Sequence, residues 1–176
     1  MKRFIFCSAL SGLICISGCS AGLPSPSPDI DKPFTAEVKI KAGSELVSGN
    51  VTRTAENCWE LTFTEPFALE GLTATLDENG TSYEMGGFEA AADISEETAS
   101  MLRLLAEGYD SAAKNGTFSE NTFTATTEHG SCTLALGENN APSVMRMGEA
   151  NFYAELSEWT ECEPTVTAEE DDFVVE

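Results

Sequence analysis

His129 is the only histidine in the chain, and it limits what metal or triad chemistry the sequence can support. It stands beside Gly130 and three residues before Cys132. A zinc site would need further ligands at fixed spacings, and Cys58, Cys132 and Cys162 are too few and too scattered, with no CxxC pair. A Ser-His-Asp relay would also depend on His129, and no GxSxG elbow accompanies it. Asp77-Glu78-Asn79-Gly80 has the residue types of a calcium loop, but the twelfth position from Asp77 is Phe88 and not glutamate. Both segments therefore read as turns. With 30 acidic residues in the chain, facing carboxylates say nothing about glycoside chemistry. There is no glycine-rich phosphate loop. The expectation is a protein that is not an enzyme and needs neither metal nor cofactor.

The remaining reactive candidate is Cys19. Lys2 and Arg3 precede an uncharged apolar run, Phe4 to Ile16, which is shorter than the roughly 20 residues that cross a bilayer core but suits a secretory leader. The run ends at Ile16-Ser17-Gly18-Cys19, which resembles the lipobox of bacterial lipoproteins, with Ile16 where leucine is usual. That resemblance implies cleavage before Cys19 and a lipid on its thiol, with residues 1–18 as the lipoprotein signal peptide. Two acyl chains hold a protein on a membrane where one would be marginal, at about 0.8 kcal/mol per buried CH₂. Residues 19–33 contain Pro24, Pro26, Pro28 and Pro33 among serines, the composition of an extended, semi-rigid tether. The expected location is the extracytoplasmic face of the cell membrane, lipid-anchored at Cys19.

A formal charge of -21 repels nucleic acid and anionic headgroups, so neither a nucleic-acid partner nor an electrostatic membrane contact is expected. Residues 34–159 have the length of one domain. Residues 160–176 are acidic and poor in apolar residues, and read as a disordered tail. If Cys19 carries lipid, Cys58, Cys132 and Cys162 remain; they are either free thiols or one bridge with a thiol left over.

Within the domain the apolar pattern has period two, then period three to four, then two again. Phe34, Ala36, Val38 and Ile40 alternate with polar residues and predict a half-buried strand. A second strand is expected over about 45–56, with Val47 and Val51 on one face. Trp59, Leu61 and Phe63 predict a third, Leu72 to Leu76 a fourth, and Asp77 to Gly80 a hairpin turn into Thr81–Met85. Between Asp93 and Tyr109, Ile94, Thr98, Met101, Leu102, Leu105 and Tyr109 fall on one helical face. Asp93 with Glu96 offers a capping box and Gly108 a stop, with Ala112 and Ala113 able to carry the helix on to Asn115-Gly116. Strands resume at Thr117–Thr127, Cys132–Leu136, Val144–Met147 and Asn151–Trp159. This predicts an α+β fold: an open antiparallel half-barrel sheet of about nine strands, with one helix on its concave face between the fifth and sixth. Trp59, Phe63, Met101, Leu105, Phe123, Met145 and Met147 are large or adaptable apolar residues that read first as core and second as a pocket lining.

The segment Trp59-Glu-Leu-Thr-Phe-Thr-Glu-Pro-Phe-Ala-Leu-Glu-Gly-Leu72, followed by Thr-Ala-Thr-Leu and a turn into Ser82-Tyr83, resembles small lipoproteins of Gram-positive gut bacteria of the Firmicutes type. Their domains are similar to the LolA/LolB-like lipoprotein-carrier fold. Met85-Gly86-Gly87-Phe88, the single helix, Asn140-Ala141-Pro142 and Phe152–Trp159 continue the likeness over residues 34–159. It implies a hydrophobic cavity between sheet and helix, with Trp59, Leu61, Phe63, Leu72, Leu102 and Leu105 lining the cavity or its lid. Met101 and Phe123 complete the candidate lining. Two departures stand out: an anchor where the soluble carriers have none, and little helix to cap the sheet. The implied function is to bind an apolar ligand, the acyl chain of a lipid or a lipoprotein. The alternative is an envelope protein-interaction module with a filled core and no ligand.

Overall fold

The computed structural model describes residues 27–89 and 95–162. Eleven strands form one antiparallel sheet: β1 (Phe34–Ala42), β2 (Glu45–Ala55), β3 (Cys58–Glu65), β4 (Leu72–Asp77), β5 (Gly80–Met85), β6 (Phe88–Glu89), β7 (Thr117–Ser119), β8 (Thr122–Thr127), β9 (Gly130–Leu136), β10 (Pro142–Met147) and β11 (Phe152–Glu161). Among the described residues a single α-helix, α1 (Glu96–Asn115), lies between β6 and β7. The sheet order is β6-β5-β4-β3-β2-β1-β11-β10-β9-β8-β7. Two meanders thus meet at the β1–β11 pair in the centre, and α1 carries the chain from one outer edge to the other. The sheet is open, and β6 and β7 are its edges.

The nine longer strands are those the alternation predicts; the two extra ones are short. The alternation reads Thr117–Thr127 as one strand, but Glu120 and Asn121 take positive φ and fold it into the β7–β8 hairpin. Asparagine tolerates that conformation, which an alternation count cannot register. Gly86 and Gly87, also at positive φ, turn β5 into the two-residue β6. Such short edge strands leave little free ladder for another chain to extend.

The α1 boundaries differ from the capping expectation. Ser95 is the N-cap, its hydroxyl accepting from the Thr98 N–H, and Gly116 closes the helix by donating to the Ala112 carbonyl. Asp93 and Ile94 lie outside the described residues. Gly108 does not stop the helix. A Cβ there would sit 2.8 Å from Met145 Sδ and 3.1 Å from Cys132 Sγ, so the glycine lets α1 approach β9 and β10 closely.

A 20-residue helix is about 30 Å long, and the strand spacings from β4 to β8 sum to about 34 Å. Accordingly α1 crosses the apolar face and touches β4, β3, β1, β10, β9 and β8. Phe34, Ala36, Val38, Ile40 and Ala42, every other residue of β1, are buried on the apolar face. Buried positions surround the helix except along one stripe that includes Ser100, Arg103, Glu107, Ser111 and Lys114. Packed chain extends back to Ile30, which is 4% exposed, and forward to Cys162, whose N–H bonds the Pro33 carbonyl. No helix among the described residues is long and apolar enough to cross a membrane.

Candidate functional site

The eight candidate cavity residues all fall in one place. Trp59, Leu61 and Phe63 on β3, Leu72 on β4, Met101, Leu102 and Leu105 on α1, and Phe123 on β8 belong to a single apolar cluster, none more than 3% exposed. Period two on the strands and period three to four on the helix bring them together between sheet and helix. Met145 and Met147 join them at zero exposure. With the buried face of α1 they form one apolar cluster between helix and sheet.

At one end of that core lies a buried polar network that the sequence reading did not identify. Arg53 sits on β2 at 1% exposure, in phase with Val47, Gly49 and Val51 on the apolar face. Its Nε donates to Asp110 Oδ1 at 2.8 Å, its NH2 group donates to Asp31, and its NH1 group to the Lys32 carbonyl at 3.2 Å. Asp110, on α1, receives two more hydrogen bonds at Oδ2, from the Asn57 N–H at 2.9 Å and Trp59 Nε1 at 3.0 Å. All the acceptor capacity that matters is used, so a carboxylate of 6% exposure is tolerated. The burial of Arg53 works against its charge, but the bonds to Asp31 and Asp110 outweigh it and hold the guanidinium ionised.

Aromatic rings wall the network off. The guanidinium carbon lies 5.8 Å from the Trp59 ring centroid and 5.5 Å from that of Tyr109, within cation–π range. Phe34 packs edge-on to Trp59 and against Tyr109 and Trp159. Tyr109 donates its hydroxyl to the Ile30 carbonyl at 3.1 Å, and burial pushes its pKa far up. Together these groups clasp the incoming segment Ile30–Lys32 to both helix and sheet. The arrangement is a clamp: the Arg53 guanidinium, the Asp110 carboxylate and the Tyr109 hydroxyl all bond other parts of the chain.

Beside it a cleft of about 730 Å³ opens over the exposed stripe of α1. Its walls include Glu56 and Asn57 of the β2–β3 turn and Thr127 and Glu128 near the β8–β9 hairpin, and Arg103 and Lys114 rise from its floor. The size suits a ligand, but the lining mixes charged and polar side chains with Leu76 and Ala106, and part of it is paired: Lys114 meets Glu56 at 2.9 Å, and Glu107 accepts from the Glu128 N–H at 2.8 Å. None of the eight candidate residues lines this cleft.

The other reactive residues are placed plainly. His129 lies in the β8–β9 turn, 3.5 Å from Glu107. Asp77 to Gly80 form the β4–β5 hairpin, with Asp77 Oδ1 accepting from the Asn79 N–H at 2.7 Å. Cys58, Cys132 and Cys162 are all free thiols, and burial pushes the Cys132 thiol up to about 11, with the nearby Glu107 charge adding to it. Among the described residues no group of three or more His, Cys, Asp or Glu side chains could hold a metal ion. Cys19, the leader of residues 1–18 and the tail beyond Cys162 lie outside the described residues.

No family model matches the sequence, and no curated protein sequence matches it. Solved structures with a similar chain course include an uncharacterized conserved protein from Thermus thermophilus, at 10% identity over 77% of this chain and 82% of that one, with a TM-score of 0.44. A LolA superfamily protein from Nitrosomonas europaea is similar at 10% identity over 76% and 88%, with a TM-score of 0.39. A DUF1329 family protein from Desulfovibrio piger is similar at 8% identity over 76% and 87%, with a TM-score of 0.36. Likenesses of this degree assign no activity.

Proposed function

We propose that this chain is a lipid-anchored extracytoplasmic interaction module whose domain has a filled core and carries no ligand. In this reading residues 1–18 are removed, Cys19 is lipidated on the outer face of the cell membrane, the tether that follows ends before Ile30 because residues 30–33 pack on the domain, and the domain runs through β11 to Cys162, with the remaining residues a tail. Kinship with small lipoproteins of Gram-positive gut bacteria is part of the proposal and rests on the sequence motifs alone. One observation carries the filled-core reading: α1 lies along the apolar face, and all eight candidate cavity residues are packed against it or against one another. Acyl chains gain free energy by entering a formed apolar pocket. Here that gain is already taken by Met101, Leu102, Leu105 and Tyr109. The reading assigns the domain no reaction.

The test is native mass spectrometry of the chain without its leader, kept folded with extract of the envelope it comes from. The bare protein mass is the expected result. Discrete lipid masses released on unfolding would refute the filled core and return Trp59, Leu61, Phe63, Leu72, Met101, Leu102, Leu105 and Phe123 to a ligand role, with α1 as a lid. The anchor has its own test: Cys19→Ser should abolish incorporation of labelled palmitate and release the protein from the membrane fraction.

A further inference from the structure

The chain holds 9 lysines and arginines against 30 acidic residues, yet three of the cations stand together. Lys39 and Lys41 project from the solvent-facing side of β1, and Arg146 from the same side of β10. The register sets them in two adjoining rows across the middle of the sheet. Leu46, Lys41, Tyr153, Arg146 and Thr133 are successive cross-strand partners, and Ser48, Lys39, Glu155 and Val144 form the next row. Neighbours in a row are about 5 Å apart. The Arg146 guanidinium lies 5.4 Å from the Tyr153 ring centroid, and Leu46 is 65% exposed. Glu155 is the one carboxylate in these rows. Among the described residues the ion pairs use Lys32, Arg53, Lys114 and His129, and none of these three cations. Two shallow hollows lead to the patch along β1 and β2. One, of about 300 Å³, is lined by Thr35, Thr52 and Glu158, the other, of about 400 Å³, by Ser48, Ser157 and Lys39, and both include Glu37 and Asn50. Thr35 pairs with Thr160, and the Cys162 N–H bonds the Pro33 carbonyl. The trough therefore starts beside the place where the described chain stops.

We propose that this trough and patch dock the chain's own continuation past Cys162, with Glu169, Glu170, Asp171 and Asp172 meeting Lys39, Lys41 and Arg146. The inference goes beyond the interaction-module reading and stands without it. Length agrees: from Pro33 to Lys41 the strand covers about 26 Å, and from Cys162 to Asp172 an extended chain reaches about 33 Å. The order of residues agrees as well. Pro164 to Ala168 carry no charge and lie over the polar trough, so Glu37 faces no acid there. The four acids follow at the basic rows, and Phe173 comes next, beside Leu46 and Tyr153. Linkage favours this occupant over other anions. A free anionic ligand must approach a chain of net charge -21, whereas a linked segment acts at an effective concentration on the order of millimolar. A segment too poor in apolar residues to fold alone takes its order from such a surface. Docked this way it covers the patch, and an anionic partner of this face must first displace it.

The experiment treats the full folded chain with a water-soluble carbodiimide, which joins an amine to a carboxylate it touches, and maps the amides by peptide mass. Lys32–Glu161 and Lys114–Glu56, both at 2.9 Å, give the yield of a standing surface ion pair. The expected result is an amide from Lys39 or Lys41 to residues 169–172, formed within one chain. Its yield should be within about threefold of those pairs and unchanged over a dilution of about 100-fold. Arg146→Glu, which leaves both lysines as reporters, or about 0.5 M salt should reduce it by about fivefold or more. Arg146 is exposed, so the variant should keep the unfolding midpoint of the unaltered chain, and the salt series needs no variant at all. No amide at residues 169–172, an amide indifferent to both salt and Arg146→Glu, or amides formed only between two chains would each overturn the proposal. Coupling of Lys39 to its cross-strand neighbour Glu155 alone would overturn it as well.

Discussion

Removing Asp110 tests whether the buried clamp holds helix and sheet together. In Asp110→Ala, Arg53 keeps the Lys32 carbonyl and, as its one remaining charge partner, Asp31, whose side chain is 61% exposed. The Asn57 N–H and Trp59 Nε1 lose their acceptor. Breaking a buried pair by deleting one partner costs about 3–5 kcal/mol. Orphaned donors cost about 1–3 kcal/mol each, but water from the adjacent cleft can reach them, so the total stays near the pair value. For a domain of this size that is a fall in Tm on the order of 10–20 °C. Arg53→Met should cost roughly 3 kcal/mol, since Asp110 keeps two donors. The double variant Arg53→Met with Asp110→Leu replaces the pair by apolar volume and should cost only about 1–3 kcal/mol, mostly for the two orphans. Urea unfolding followed by the fluorescence of the two tryptophans, compared at constant m, gives all three numbers. Single variants that cost under about 1 kcal/mol, or a double variant equal to the sum of the singles, would refute the reasoning.

Three further predictions use the same assay or a simple chemical one. Gly108→Ala forces a Cβ to 2.8 Å from Met145 Sδ and should cost about 1–3 kcal/mol; shortening the blocking side chain with Met145→Ala in the same chain should make the added Cβ nearly neutral. Ser95→Ala removes the acceptor of the Thr98 N–H and should cost about 1 kcal/mol, read as a lower urea midpoint. Cys132, with a thiol pushed from 9.0 up to about 11, binds its proton more tightly when folded. The unfolded chain therefore loses that proton first as pH rises, and stability should fall by roughly 2–3 kcal/mol between pH 9 and 11. Cys132→Ala should flatten that slope. In the folded protein at pH 8, iodoacetamide should label Cys58 and Cys162 and spare Cys132, read by peptide mass.

The sequence made the sheet legible because burial on one face writes a period of two into β1, β3, β4, β8 and β9. It made the helix legible because Met101, Leu102, Leu105 and Tyr109 recur at helical spacing. Three things escaped for physical reasons. The β7–β8 hairpin turns on the positive φ of Glu120 and Asn121, and a Thr-rich run hides it. Gly108 looks like a stop when only local conformation is weighed, whereas its role is set by Met145 and Cys132 across the interface. The clamp was hidden because its partners lie 57 residues apart on β2 and α1, and because a charged residue in the alternation reads as solvent-facing. One signal was present. Arg53 continues the odd-numbered series Val47, Gly49 and Val51, so strict phase puts a guanidinium in the core and demands a buried acid to meet it. The candidate cavity residues were identified as buried neighbours from the same patterns, but period alone cannot distinguish packed side chains from side chains facing a void. That depends on where the helix lies.

The clamp also bears on how the domain would be held. Arg53 bonds Asp31 and the Lys32 carbonyl, and Tyr109 bonds the Ile30 carbonyl. A tether from an anchor at Cys19 would therefore end before Ile30. Residues 30–33 are spent on the domain. Because β1 and β11 are the central pair, the chain enters at the middle of the sheet, where a pull on the tether is taken up by ladders on both sides. Asp31→Ala would leave the Arg53–Asp110 pair in place and should cost little stability, since Asp31 is mostly exposed. It should nevertheless free the segment Ile30–Lys32, measurable as faster amide exchange there with unchanged exchange in β2 and α1. Unchanged exchange in that segment would mean that the Tyr109 bond and the burial of Ile30 hold it without the ion pair.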